Sequence, residues 1–172
     1  GSGRLLKGTL DLPGGGTHGG PVEVAAGTFL NLSAGTHGWG PAAQINGEGR
    51  VNCGVGMTFW GTELSIGTLQ LPTAVTFNSP VTAGVVTLNG SGVVFNGLVE
   101  AGSVNLTGSG TFNGAAVVQS LSLPANSVGT FNGPATVGAL SLSGGTLTGT
   151  NVVTVTNLTW TRGTMSGVGQ TV

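Results

Sequence analysis

Apolar residues in this chain come in pairs with a single polar residue between them, and the pairs recur at a nearly constant distance. Leu10/Leu12, Leu30/Leu32, Val51/Cys53, Leu69/Leu71, Val86/Leu88, Val104/Leu106, Leu121/Leu123, Leu140/Leu142 and Leu158/Trp160 follow one another, from Leu12 to Trp160, at steps of 20, 21, 18, 17, 18, 17, 19 and 18 residues. The residue inside each pair is Asp11, Asn31, Asn52, Gln70, Thr87, Asn105, Ser122, Ser141 or Thr159, polar every time. Alternate side chains of a strand point to opposite faces, so the pattern predicts nine short strands that bury the pair and show the middle residue to water.

A second pattern runs in step with the first. Thr76-Phe77-Asn78-Ser79, Val94-Phe95-Asn96-Gly97, Thr111-Phe112-Asn113-Gly114, Thr130-Phe131-Asn132-Gly133 and Thr146-Leu147-Thr148-Gly149 advance by 18, 17, 19 and 16 residues. Thr17-His18-Gly19-Gly20-Pro21 and Thr36-His37-Gly38-Trp39-Gly40-Pro41 echo the motif and place both histidines in the phenylalanine column. A third strand follows the aromatic one, with Val22/Val24, Val81/Ala83, Val99/Ala101, Ala135/Val137 and Val153/Val155 inward and Glu23, Thr82, Glu100, Thr136 and Thr154 outward. A leucine face, a phenylalanine face and a valine face therefore make one coil. Corners such as Gly90-Ser91-Gly92 and Gly108-Ser109-Gly110 suit sharp bends. No such coil buries its apolar side alone, and stacking supplies the core. The fold expected is all-β: a parallel β-helix, or β-solenoid, of about nine coils, three strands per coil. At ~4.8 Å per coil the rod is about 40 Å long. The uneven inward spacing does not follow a six-residue rule, and a right-handed coil is expected.

Gly1-Ser2-Gly3 reads as a cloning scar, leaving residues 4–172 as a single solenoid domain, less regular over 4–68 than over 69–172. Thr164-Met165-Ser166-Gly167 opens a further repeat with no charged or helical cap behind it. Open ends invite strand addition and natural solenoids cover them, so the chain is expected to belong to a longer array whose flanking repeats are its first partners.

Composition narrows the function classes. Among 172 residues 35 are glycine, 5% are charged and 38% are hydrophobic, and that regular apolar content argues for order rather than a disordered Gly-rich tract. A net charge of -1 with four basic residues gives no footprint for a phosphate backbone or an anionic membrane surface. No apolar run approaches the ~18 residues of a spanning helix, so no membrane insertion is expected, and no signal peptide is read. Asn31, Asn89, Asn105 and Asn157 open Asn-x-Ser/Thr patterns that N-glycosylation requires.

Candidate chemistry is sparse. Glu23, Glu63 and Glu100 fall about two coils, or ~10 Å, apart, too far for paired acid–base work, and are expected to be solvated face residues. His18 and His37 lack a third ligand for a metal; the single cysteine, Cys53, holds an inward position and is expected to be inert; one aspartate excludes calcium-binding corners. No Gly corner is followed by the Lys and helix of a phosphate loop. No catalytic residue, metal or cofactor is expected. Trp39 and Trp60 depart from the repeat and are candidates for stacking on a sugar. Thr76, Asn78, Thr111, Asn113, Thr130 and Asn132, with Thr146 and Thr148, form an uncharged Thr-x-Asn file at β spacing, broken by Val94 and Trp60. Such rows resemble the ice-binding faces of antifreeze proteins, or else serve only to hydrogen-bond up the stack.

The inward/outward code with Gly corners and repeats of 16 to 21 residues is similar to the β-helical shafts of filamentous haemagglutinin-like adhesins, autotransporter passengers and related giant bacterial surface proteins. That resemblance covers most of residues 4–172 and implies an extracellular or cell-surface, non-enzymatic spacer or adhesive stalk whose partner is a host or cell-surface glycan or protein. Two alternatives stay open: an ice-binding surface, and a carbohydrate-binding or polysaccharide-degrading β-helix.

Overall fold

Successive coils lie on one another in the register that the apolar pairs demand. Leu10 pairs with Leu30, and the column continues through Val51, Leu69, Val86, Val104, Leu121 and Leu140 to Leu158. Asp11, Asn31, Asn52, Gln70, Thr87, Asn105, Ser122, Ser141 and Thr159 run beside it without a slip. Among the described residues every pairing is parallel, and the strands form one 17-stranded sheet plus a two-stranded sheet of Gly16–His18 and His37–Trp39. The protein is thus a parallel β-solenoid. The computed structural model describes residues 1–33, 37–40, 43–54, 57–59 and 63–172.

Valine and leucine faces are often one strand bent at a single residue. Val81–Leu88, Val99–Leu106 and Ala116–Pro124 pivot at Gly84, Gly102 and Gln119, residues that drop out of the pairing while their neighbours stay aligned. Further along, Ala135–Gly149 carries the strand through all three faces. On the valine face the column runs Val22, Ile45, Leu64, Val81, Val99, Ala116, Ala135 and Val153. Gly3, read as part of a scar, pairs with Val22 at the start of this face.

A parallel ladder sets like side chains one strand spacing apart, and flat rings fill that spacing well. Phe59, Phe77, Phe95, Phe112 and Phe131 stack with centroids 4.8, 5.1, 5.0 and 4.6 Å apart and planes within 15°. All five are buried. Phe59 extends the column beyond the four phenylalanines that the repeat motif collects. Trp39, on Phe59 at 5.9 Å, and His18, on Trp39 at 4.2 Å, continue it toward the N-terminal end.

Two positions correct the sequence reading. His18 pairs with Trp39, and His37 pairs with Gly16, so His37 stands two residues ahead of the aromatic column. The larger indole overlaps Phe59 and takes the stacking place. Similarly, Leu147 pairs with Gly129, and Gly149 is the residue opposite Phe131. The residue opposite Phe131 comes seven residues after Leu142, against the eight between Leu123 and Phe131, and Leu147, only five residues after Leu142, meets the stack two residues early. Its inward column reads Val93, Gly110, Gly129, Leu147. The glycines there make volume: a Cβ on Gly110 would come within 2.6 Å of Leu88 Cδ2, and one on Gly129 within 3.2 Å of Leu123 Cδ2. Leucines from the opposite face use that space.

Some corners between the leucine and phenylalanine faces turn on a left-handed residue. Gly92 supplies it at φ 80° in one coil. Asn126, at φ 65°, supplies it two coils on, the one non-glycine residue with positive φ among those described. Ser127 closes that turn, its buried Oγ donating to the Pro124 carbonyl at 2.6 Å. In the last coil the pattern persists without cover: Leu158 and Trp160 keep their register on Leu140 and Leu142 but are 48% and 53% exposed.

The aromatic stack carries much of the core. Phe112→Ala, which removes a ring from the middle of the column, is expected to lower the unfolding free energy by about 3–5 kcal/mol, read as a shift of the urea midpoint.

Candidate functional surface

Outward residues of the phenylalanine face follow from the stack beneath them. Because Phe95, Phe112 and Phe131 point in, the residues on either side of each must point out. Thr58, Thr76, Val94, Thr111, Thr130 and Thr148 form one file. Beside it the asparagine that follows each phenylalanine forms a second, and here the side chains bond to one another. Asn96 Nδ2 donates to Asn78 Oδ1 at 2.7 Å, Asn113 Nδ2 to Asn96 Oδ1 at 2.8 Å, and Asn132 Nδ2 to Asn113 Oδ1 at 2.9 Å. Thr150 Oγ1 donates to Asn132 Oδ1 at 3.4 Å and ends the run.

The structure therefore brings Thr76, Thr111 and Thr130 into one file and Asn78, Asn113 and Asn132 into the other. Sequence reasoning missed Asn96, because Val94 broke the Thr-x-Asn motif; the Phe-Asn dipeptide, present four times, is the signal that finds it. Thr148 aligns with Thr130 rather than with Asn132, and Thr146 aligns with Val128, so the pair Thr146/Thr148 sits two residues from the place that the motif assigns it. The surface is a grid of about 4.8 Å between coils and ~6.7 Å between files. It carries no titratable group. Hydrogen bonding and close contact are within its means; proton transfer is not.

Other candidates lie elsewhere. Trp39 is only 6% exposed, and its faces are covered by His18 and Phe59, so it has no ring face to offer a sugar. Trp60 lies outside the described residues. Glu23 is engaged by Arg4 through Nε at 2.7 Å and a second guanidinium nitrogen at 3.3 Å. Glu100 stands in the same outward column four coil steps on, about 19 Å away, and Glu63 aligns with Gln44 one column over. Those separations exceed the ~5–9.5 Å that a glycosidase carboxyl pair spans. Cys53 is buried beneath the leucine face, and burial pushes its thiol well above the usual range, away from the reactive thiolate. Among the described residues no three His, Cys, Asp or Glu side chains gather as a metal site. Of the Asn-x-Ser/Thr positions, Asn31 accepts a hydrogen bond from Asn52 Nδ2 at 2.6 Å, whereas Asn89, Asn105 and Asn157 are exposed.

A polar cluster caps the aromatic stack at its N-terminal end. His18 Nε2 and His37 Nδ1 are 2.9 Å apart, a distance that needs one proton between them. Burial lowers the His18 imidazole below its ordinary 6.5, and the neighbouring His37 adds to the shift. A lowered folded value means that the unfolded chain binds this proton more readily. The stability tied to it is complete above about pH 6.5, drains as pH falls from there through the folded value, and falls no further below it.

Two outcomes follow from this geometry. Asn113→Ala removes a donor and an acceptor from the middle of the ladder and is expected to lower stability by about 1–3 kcal/mol, against less than ~0.5 kcal/mol for Thr111→Ala on the unlinked file, both measured by chemical denaturation. Lowering the pH from about 7 to about 5.5 is expected to reduce the melting temperature of the parent chain more than that of His18→Phe, which keeps the stack without the imidazole.

Comparison of the chain with protein-family models, with curated proteins and with solved structures found no match. The parallel β-solenoid is established by its own strand register, and kinship with a particular group of surface proteins is not.

Proposed function

We propose that this chain is a stiff, non-enzymatic segment of a large extracellular or cell-surface protein, a spacer or adhesive stalk that continues into flanking repeats of the same protein. The observation that carries the reading is the unbroken leucine column from Leu10 to Leu158, which runs the length of the rod in a chain of which only 5% of residues are charged. Backbone hydrogen bonds in such a stack run along the rod axis, and each coil is clamped by the one above and the one below. Bending the rod would open ladders on one side and crush the aromatic stack on the other, so the molecule transmits position. Extended backbone tied into ladders is also a poor protease substrate, since cleavage needs local opening.

The asparagine ladder favours a second reading, an ice-binding surface. Amides held by their neighbours, next to a file of threonines, are rigid before any contact is made, which lowers the entropy lost on binding an ordered partner. Val94 interrupts the threonine file in its middle.

Digestion with thermolysin, which does not depend on the four basic residues, is expected to leave the parent chain intact at protease levels that degrade Phe112→Ala. Rapid digestion of the parent would remove the stalk reading. Thermal hysteresis in freezing solutions that disappears in Thr130→Tyr would replace it with the ice-binding one. Saturable signal on a glycan array would assign the surface to carbohydrate recognition.

A further inference from the structure

Five asparagines in the chain are followed directly by glycine: Asn46, Asn89, Asn96, Asn113 and Asn132. An Asn-Gly step is prone to lose its side-chain amide, because glycine has no Cβ to keep its backbone nitrogen away from the preceding carboxamide. That nitrogen attacks the asparagine Cγ and forms a C–N bond; the Cγ–Nδ2 bond breaks, and the proton from the glycine N–H leaves with the amide nitrogen as ammonia. Water then opens the cyclic imide at either carbonyl, leaving aspartate or isoaspartate, with nothing oxidised or reduced. The first step needs a carboxamide that is free to turn toward the next peptide nitrogen.

Three of these steps share one backbone arrangement, each just after a strand. Asn89 and Gly90 both donate their backbone N–H to the Leu71 carbonyl, at 3.0 and 3.2 Å. Asn113 and Gly114 share the Phe95 carbonyl at 2.8 and 3.3 Å, and Asn132 and Gly133 share that of Phe112 at 2.8 and 3.1 Å. What differs is the side chain. Asn96 and Asn113 are held at both ends of the carboxamide by their neighbours in the ladder, and Asn132 donates to Asn113 while accepting from Thr150. Asn89 is exposed and stands outside the ladder. Among the described residues its carboxamide receives only the Thr107 hydroxyl, at 3.4 Å, and the single proton of that hydroxyl is divided with the Leu88 carbonyl at 3.3 Å. Asn46-Gly47 lies inside the strand Gln44–Cys53, paired with Ser65 and Ile66, so ring closure there would break a sheet ladder. We infer that Asn89 is a site of spontaneous covalent modification, deamidating to aspartate and isoaspartate, and that the asparagine ladder protects Asn96, Asn113 and Asn132 from the same reaction. Asn89 also opens an Asn-x-Ser pattern, so reaction there removes the amide that N-glycosylation requires. The site is independent of the stalk reading, since it depends on how one corner is held and not on what the rod carries.

Incubation of the folded full chain in mildly alkaline buffer, followed by peptide mapping with mass spectrometry and enzymatic labelling of isoaspartate, tests this. Asn89 is expected to deamidate about tenfold or more faster than Asn113, which must first give up two side-chain hydrogen bonds. In the guanidinium-unfolded chain the rates at the two sites should converge, because the selectivity comes from the fold and not from the flanking residues. Asn113→Ala, which frees Asn96 Oδ1 and Asn132 Nδ2, is expected to speed deamidation at Asn96 and Asn132 by about threefold or more. The rate at Asn89 should stay where it was, whereas a general loss of stability would raise all three together. Absence of modification at Asn89, equal rates at Asn89 and Asn113 in the folded chain, or a preference for Asn89 that persists in guanidinium would overturn the assignment. So would ladder asparagines whose rates do not respond to Asn113→Ala.

Discussion

The whole structure depends on the distance between neighbouring parallel strands. At ~4.8 Å, one coil must repeat the inward side chains of the next closely enough for each column to pack on itself. Phe77, Phe95, Phe112 and Phe131 meet this condition as offset-stacked rings, with centroid separations between 4.6 and 5.1 Å. Where a column changes size, a facing column compensates. Gly110 and Gly129 stand beneath leucine side chains that reach across from Leu88, Leu106 and Leu123. The core is therefore continuous along the rod although no single column is uniform.

The same spacing governs the outside. An asparagine that repeats at strand distance finds its own kind within hydrogen-bond reach, and Asn78, Asn96, Asn113 and Asn132 become one polarised chain of amides. Each bond contributes little by itself, about 0.5–1.5 kcal/mol net, but the run locks register from without as the phenylalanines lock it from within. A one-residue slip would place amides in the core and rings in water. Rigidity and specificity of register thus have a common origin. The surface that results is uncharged and ordered, suited to holding a shape rather than to transferring protons.

Regularity gives way at the N-terminal end. There the column changes from phenylalanine to Trp39 and then His18, the histidines meet edge to edge at 2.9 Å, and an indole N–H is buried without a partner. Repeats conserve the geometry that packing requires; departures from them are where a polar group can acquire a separate purpose. The histidine contact and the shielded indole beside it make this end chemically unlike the rest of the rod.

Much of this was legible in one dimension, because a parallel stack translates three-dimensional neighbours into a fixed sequence interval. All nine leucine-face pairs and the polar residues between them took the register that their spacing implied, and Cys53 lay buried where its column put it. What spacing could not decide was the length of each corner. A corner one residue shorter than its neighbour, with the leucine only five residues past Leu142, set Leu147 beside Gly129, and the bulk of Trp39 rather than the Thr-His motif settled which residue joined the aromatic column. Pattern alone also could not show that Asn96 belongs to the ladder or that Trp39 is covered on both faces. Columns were written in the sequence because every coil repeats the same contact; corner geometry and the fit of side-chain volumes emerged only when the coils were packed together, since those depend on what lies across the core and not on what recurs along the chain.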